Sequence, residues 1–108
     1  ITSTSTETVL ATQLALTIKS GVTTCTNASY AATGIVLYNA AALGNTTPMN
    51  AVGDPTQGSQ AGDRTLAAAA NESLCFNVTL PLASGNAYQG LTTTATFSFQ
   101  GEQTQSNP

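Results

Sequence analysis

The chain has 108 residues and a net charge of −3, with 2 basic and 5 acidic side chains and no histidine. This length fits a single domain over residues 1–108, and the shortage of cations excludes binding to a phosphate backbone, so nucleic acid is not expected as a partner. Because only 6% of the residues are charged, against roughly a quarter in ordinary soluble domains, solubility must depend on the hydroxyl and amide groups of 20 threonines, 9 serines and 8 asparagines.

The apolar residues are numerous enough for a core but are scattered along the chain. No apolar run approaches the ~20 residues that span a bilayer, so membrane insertion is not expected. The first residue is Ile1 rather than an initiator methionine, and no basic stretch followed by an apolar segment stands before it. This favours a processed or partial product, from which a secretion signal would already have been removed.

The first twenty residues predict two strands. Threonines alternate with other residues over 1–9, which predicts an extended segment with little to bury, at a sheet edge or as a donor strand for another chain. Residues 10–19 place Leu14, Leu16 and Ile18 on one face. This alternation predicts a half-buried strand that ends at Ser20 and Gly21.

The middle of the chain predicts one strand and then a long loop. Residues 34–38 form a short β-branched and aromatic run that is typical of a strand. Residues 39–43 are rich in alanine, but five residues without a cap do not make a stable helix. Residues 44–62 are dominated by Gly, Pro, Asn, Thr and Gln, with a turn signal at Gly53-Asp54-Pro55, and predict the long loop of the domain.

The last third predicts the two clearest strands. Residues 65–70 favour a strand start or a short turn, and the alternation over 74–82 then predicts a strand that is at an edge, or ends, at Pro81. Residues 91–100 alternate in the same way and predict one long strand, followed by a tail over 101–108. Five to seven strands with turn-rich connections predict an all-β fold of the antiparallel β-sandwich type.

Cys25 and Cys75 are the two cysteines, and neither belongs to a Cys-x-x-Cys or histidine-containing motif. A structural disulfide is therefore expected, with two buried free thiols as the alternative. Because Cys75 falls on the polar face of its predicted strand, the bond should tie a sheet edge to the Cys25 segment, outside the central core. A disulfide also favours an oxidising compartment, which means a secreted, extracellular or cell-surface protein.

The segment Asn86-Ala-Tyr-Gln-Gly90, followed by Phe97-Ser98-Phe99 and Gln103, resembles the carboxy-terminal strand of the TasA/camelysin family of secreted matrix-fibre subunits. The resemblance extends over residues 63–103 and implies a jelly-roll β-sandwich. The family's usual amino-terminal half is represented here only by residues 1–9. A sandwich that lacks strands leaves unpaired backbone groups, which a strand from a neighbouring subunit can complete.

The main hypothesis from the sequence is therefore a structural subunit of an extracellular filament or biofilm matrix fibre, built from identical subunits by donor-strand complementation. The low charge suits such a polymer, because few charges oppose bundling and only Lys19 and Arg64 are sites for trypsin. The alternative is a monomeric binding or adhesion module that uses its threonine-rich faces, although the absence of tryptophan removes the usual aromatic platform of a sugar-binding groove.

An enzymatic role is the third hypothesis, because the camelysin resemblance implies a peptidase. The lack of histidine excludes a His-Glu-x-x-His zinc site and any Ser-His or Cys-His pair. Asp54 and Asp63 flank the long loop and could supply oxygen ligands for Ca²⁺, but their neighbours mark them as turn residues. We therefore expect no catalytic residue, no metal site and no cofactor.

Four Asn-x-Ser/Thr sequons are candidate N-glycosylation sites: Asn27, Asn45, Asn71 and Asn77. With so many serines and threonines, composition alone gives about two sequons, so four is a mild excess. The sequence favours Asn45, in the predicted loop, and Asn77, on a polar strand face, as the accessible ones.

Overall fold

A computed structural model of the protein describes residues 1–103, and the expected tail at 101–108 lies outside the described residues from position 104 onward. The described part contains strands β1 (Thr2–Ser5), β2 (Ala15–Ser20), β3 (Ile35–Ala42), β4 (Met49–Asn50), β5 (Leu74–Thr79) and β6 (Ala95–Ser98). One α-helix, α1 (Asn27–Ala32), and two 3-10 turns, Leu82–Ser84 and Asn86–Tyr88, complete it. The strands form two antiparallel sheets in the orders β4-β1-β6 and β3-β2-β5. The prediction of an all-β fold is confirmed.

The sheet β3-β2-β5 supplies most of the core. Its central strand β2 buries alternate residues, and Leu16 and Ile18 are fully shielded from solvent. They pack with Leu43 and with partly buried side chains from the other sheet, which include Phe97. Phe76 of β5 lies against Phe97 with ring centroids 4.7 Å apart. The two sheets therefore share one hydrophobic core. The apolar face predicted for residues 14–18 is the face of β2 that lies in this core.

The predicted strand over 10–19 begins later than its sequence pattern indicates. Residues 8–13 form a turn instead, because the Glu7 carboxylate accepts hydrogen bonds from the backbone N–H groups of Val9, Leu10 and Ala11 at 2.6, 2.9 and 2.9 Å. A capped turn satisfies these donors locally, as a cap does at a helix start. The strand can start only once the chain leaves this turn, at Ala15.

The prediction of one long strand over 91–100 is wrong in its length. Strand β6 covers only Ala95–Ser98, with Phe97 facing the core. Its ladder partner β1 has only four paired residues, from Thr2 opposite Ser98 to Ser5 opposite Ala95. Beyond this ladder no further strand residue faces β6 within the described chain. Residues 91–94 and 99–100 therefore keep the alternating sequence pattern but have no neighbouring strand to pair with.

The helix α1 was not anticipated in the threonine-rich segment. Its cap is Thr26, whose hydroxyl accepts from the Ser29 N–H at 3.3 Å. The Lys19 ammonium donates to the carbonyl of Tyr30 and lies 4.4 Å from the centre of that ring. A six-residue helix is too short to be stable alone, so this tertiary contact with β2 holds it in place.

Other segments follow the predictions more closely. The alanine-rich residues 39–42 extend strand β3, and the predicted loop at 44–62 contains the two-residue strand β4. Residues 65–70 contain the short turn that was one of the two predictions, with the N–H of Ala70 donating to the carbonyl of Ala67 at 3.0 Å, and they form no strand. Strand β5 ends two residues before Pro81. Within residues 1–103, no helix has the length and apolar character that a membrane span requires.

Candidate functional site

The most distinctive site is the position that strand β1 occupies, which we call the β1 slot: the strands β4 and β6 on either side and residues 43–45 across one face. An edge position was expected for residues 1–9, but β1 is the central strand of its sheet. It pairs with β4 through Thr2 and Ser3 and with β6 along its whole length. In the described part of the chain, β4 and β6 have no other strand partner, so this sheet depends entirely on β1.

The buried face of β1 is made of serines rather than of apolar side chains. Ser3 and Ser5 are almost fully buried, whereas Thr2 and Thr4 face outward and are half-buried. The Ser3 hydroxyl donates to the carbonyl of Leu43, and the Ser5 N–H donates to the carbonyl of Asn45 at 2.7 Å. Small hydroxyl side chains fit here because the backbone of Leu43 and Gly44 crosses directly above the strand.

Gly44 makes this close crossing possible. Its φ is +140°, and a β-carbon added at this position would lie 3.1 Å from the Ser3 hydroxyl oxygen. A residue without a side chain is therefore favoured where the loop crosses β1. The Ser5 hydroxyl, in contrast, is buried and has no hydrogen-bond partner among the described residues.

The two ends of the β1 slot are also fixed. At one end the N–H of Ala51 donates to the carbonyl of Ile1 at 2.9 Å. At the other end the N–H of Thr6 donates to the carbonyl of Thr94 at 3.0 Å, and the N–H of Thr94 donates back to the Thr6 hydroxyl at 3.1 Å. The slot therefore recognises backbone along about six residues, which is how one strand is added to another in β-augmentation.

A second feature is the apolar surface where β5 meets the end of β6. Phe99 is 61% exposed, and its ring centroid lies 6.2 Å from that of the half-buried Phe76. Val78 and Leu80 follow Phe76 on the same strand face and are each 45% exposed. The hydrophobic core thus reaches the surface here.

Cys25 and Cys75 form a disulfide with 5.6 Å between their α-carbons. It links edge strand β5 to the segment before α1, on the sheet face opposite the core, because Cys75 lies opposite Lys19 while Phe76 lies opposite the buried Ile18. Cys75 itself is 1% exposed. The bond therefore fastens α1 and its preceding loop to the sheet edge.

All five side-chain carboxylates have hydrogen-bond partners within the described chain. Hydrogen bonds from the N–H groups of Asp54 and Gln60, at 2.9 and 2.8 Å, lower the pKa of Asp63. The hydroxyl and N–H of Thr56 lower the pKa of Asp54, and the Arg64 guanidinium lowers the pKa of Glu72. Glu102 accepts from the N–H of Gly58 at 3.2 Å.

The fifth carboxylate, Glu7, is the cap of the turn after β1. Burial raises its pKa, but hydrogen bonds from the N–H groups of Leu10, Ala11 and Val9 bring its pKa below the ordinary value. Within residues 1–103, the His, Cys, Asp and Glu side chains form no group of three or more that could hold a metal ion. Asp54 and Asp63 come together as turn partners.

The four sequons lie in different surroundings. Asn27 is the first residue of α1, Asn71 lies in the exposed segment before β5, and both are exposed. Asn45 is exposed, and its side-chain oxygen accepts from the N–H of Thr47 at 2.7 Å. Asn77 lies within β5 and is half-buried, so its side chain is less accessible than the sequence pattern indicated.

Comparisons with known proteins give no further assignment: no family model, no curated protein and no solved structure matches this chain.

Proposed function

We propose that this protein is a structural subunit of an extracellular filament, in which β1 of each subunit fills the β1 slot of its neighbour. The observation that supports this most directly is the construction of the β4-β1-β6 sheet, whose two outer strands are joined only through β1 within the described chain. A strand that is central in its sheet and first among the described strands can be replaced by the same strand from another copy. All of the backbone pairing is then recovered.

The hinge for such an exchange is short. The turn capped by Glu7 begins at Thr8, directly after the last residue that bonds to the β1 slot, Thr6. A change of backbone direction around Thr6 and Glu7 would carry β1 away while the remaining fold stays intact. Exchange of one element between identical chains gives a closed dimer when it is reciprocal. It builds an open filament when each chain donates to one neighbour, accepts from another and the rotation between them does not close.

The chemistry of the surface favours the same function. Seven charged residues are too few to keep copies apart at high density, and the disulfide favours an oxidising extracellular compartment. The jelly-roll arrangement that the TasA/camelysin resemblance implies also belongs to this proposal. In such a sandwich the two sheets that share the Phe76–Phe97 core are its two layers. The role is structural, with no reaction catalysed and no cofactor required.

A designed disulfide tests the exchange. Ser5 and Ala95 are directly opposite each other on the inner face of the ladder, and Thr6 bonding to Thr94 makes Ser5–Ala95 a non-hydrogen-bonded pair. Such a pair has α-carbons about 4.5 Å apart, which a disulfide can bridge. Because the Ser5 hydroxyl has no partner among the described residues, Ser5→Cys removes no hydrogen bond there.

The variant Ser5→Cys/Ala95→Cys should form filaments visible by electron microscopy, and oxidised filaments should give a ladder of covalent multimers on a non-reducing gel. The matched control Thr4→Cys/Ala95→Cys places the two thiols on opposite faces and should give no ladder. Peptide mapping must show the Cys25–Cys75 bond unchanged. A preparation that contains only monomers with an internal bond between positions 5 and 95 would refute exchange of β1.

A second candidate function is a monomeric surface-binding module. The outer face of the β4-β1-β6 sheet carries hydroxyl pairs, with Thr2 opposite Ser98 and Thr4 opposite Thr96. This array could contact carbohydrate or ordered water. In that case the protein would stay monomeric, and Thr96→Lys would abolish its binding to polysaccharide without affecting its fold.

A further inference from the structure

We propose that the free edge of β5 is an interface through which two copies of this chain join as a two-fold symmetric dimer. This inference is independent of the proposed filament, because β5 belongs to the sheet that does not contain β1. It would place the β2 and β5 strands of both copies in one continuous sheet. The partner is a second copy because an antiparallel strand edge is complementary to itself under two-fold symmetry.

The hydrogen-bond pattern shows which groups of β5 are free. The N–H of Gly21 donates to the carbonyl of Ser73 at 3.3 Å, in the same register that pairs β2 with β5. Antiparallel pairs alternate along a ladder, so Cys75, Asn77 and Thr79 direct their backbone groups toward β2. Leu74, Phe76 and Val78 direct theirs away from the sheet. The Cys25 sulfur, 4.0 Å from the carbonyl oxygen of Leu74, lies on this outer side.

Cys25 lies beside the start of the strand, so the pairing is placed at Phe76 and Val78, whose backbone groups point away from β2. In an antiparallel dimer centred on Asn77, Phe76 of one copy is opposite Val78 of the other. Each then offers both its N–H and its C=O to the partner. The register is therefore determined by the two residues whose backbone groups point outward.

Apart from the Cys25 segment beside its start, β5 has none of the features that protect the other edges. Natural edge strands are kept from pairing by shortness, bulges, charges or proline. Strand β4 has two residues and β6 has four. Strand β3 is irregular, with two register shifts against β2 and a positive φ of 43° at Ala40. Strand β5 pairs regularly over six residues that include no charge and no proline.

The side chains beside this edge also suit a second copy. Phe76 and Val78 lie on one face of β5, and the exposed Phe99 packs against Phe76 with ring centroids 6.2 Å apart. A two-fold axis perpendicular to the sheet keeps the same face of both copies on the same side. Phe76 therefore lies beside Val78 of the partner copy, and apolar cross-strand pairs of this kind stabilise a ladder. The interface therefore buries apolar side chains of β5 that are partly exposed in the single chain.

A matched pair of variants tests the dimer. Val78 on β5 is 45% exposed and Val36 on β3 is 46% exposed, at opposite edges of the same sheet. Sedimentation equilibrium of the disulfide-intact full chain, at a concentration at which electron microscopy shows no filaments, should show a dimer for the unaltered protein and for Val36→Lys. Val78→Lys should weaken the dimer by about tenfold or more, because the two ammonium groups lie close to the two-fold axis and to Phe76 of the partner. Equal association of all three proteins, or a monomeric unaltered protein, would overturn the proposal.

A cross-link tests the register and does not depend on the stability of Val78→Lys. Residue 77 is opposite itself in the dimer at a non-hydrogen-bonded position, which permits a disulfide. Asn77→Cys should therefore oxidise to a covalent dimer with the Cys25–Cys75 bond retained. Val36→Cys, at the opposite edge of the same sheet, should stay monomeric under the same conditions. Equal cross-linking of both variants would show that the contact is not this ladder.

Discussion

Removal of the disulfide should lower the stability of the protein by an amount that the structure allows us to estimate. The bond closes a loop with a sequence separation of 50 residues. The chain-entropy relation for such a loop gives about 4 kcal/mol at 25 °C. The loop contains α1, β3 and β4, so a large part of the fold gains freedom in the unfolded chain when the bond is absent.

The suitable variant is Cys25→Ala/Cys75→Ala. Cys75 is 1% exposed, and alanine at this position avoids burying a hydroxyl without a partner. For a domain of this size, about 4 kcal/mol corresponds to a fall in Tm of roughly 20 °C. Thermal and urea denaturation followed by far-UV circular dichroism would measure both quantities, and unaltered protein kept reduced throughout serves as an independent control.

The estimate assumes that the bond acts by restricting the unfolded chain while the folded sheet stays as it is. A loss of less than about 1 kcal/mol in both the double-alanine variant and the reduced protein would refute that reasoning. Retention of the native circular dichroism spectrum at low temperature is expected. The core at Leu16 and Ile18 lies on the sheet face opposite the disulfide and does not depend on it.

Two further results are expected. Ile18→Ala removes a fully buried side chain from the centre of the core and should lower the free energy of unfolding, measured by urea denaturation, by about 2–5 kcal/mol. Val36→Ala at the exposed edge of β3 should change it by less than about 0.5 kcal/mol. Equal effects of the two substitutions would show that Ile18 is not at the centre of the core. The lowered pKa of Asp63, whose ordinary value is 3.8, means that its stabilising effect is fully present above that value and is lost as the pH falls through the lower folded pKa. Asp63→Asn should therefore flatten the acid limb of a plot of denaturation midpoint against pH, and an unchanged limb would contradict the role of its two backbone hydrogen bonds.

Several parts of the fold could be predicted from local chemistry. The alternation of Leu16 and Ile18 with polar residues identifies the buried face of β2, and the same period places Cys75 on the opposite face from Phe76. The end of β5 before Pro81 follows from the missing backbone donor. The turn around Asp54 follows from the pairing of carboxylate oxygens with nearby N–H groups. These features depend only on residues close together in sequence.

The candidate sites were less predictable, because they depend on what lies across the fold. The polar pattern of residues 2–5 indicated an edge, but Ser3 is buried because Leu43 and Gly44 cross directly above it. The free edge of β5 is visible only when the register with β2 is known. The sequence of residues 2–5 does not show that another segment crosses over them, and the sequence of β5 does not show that one of its edges has no neighbouring strand.

The sequence by itself thus determined the strand-rich class, the faces of β2 and β5 and the low charge, since periodicity and composition are properties of the chain alone. Only the tertiary structure decided that β1 is central, that α1 forms and that β6 ends after four residues. A strand extends only as far as a neighbour offers hydrogen bonds. The short helix α1 depends on the contact of Lys19 with the Tyr30 carbonyl and on the Cys25–Cys75 bond. Such partners come from distant parts of the chain, and the amino-acid pattern of one segment cannot show where they will lie.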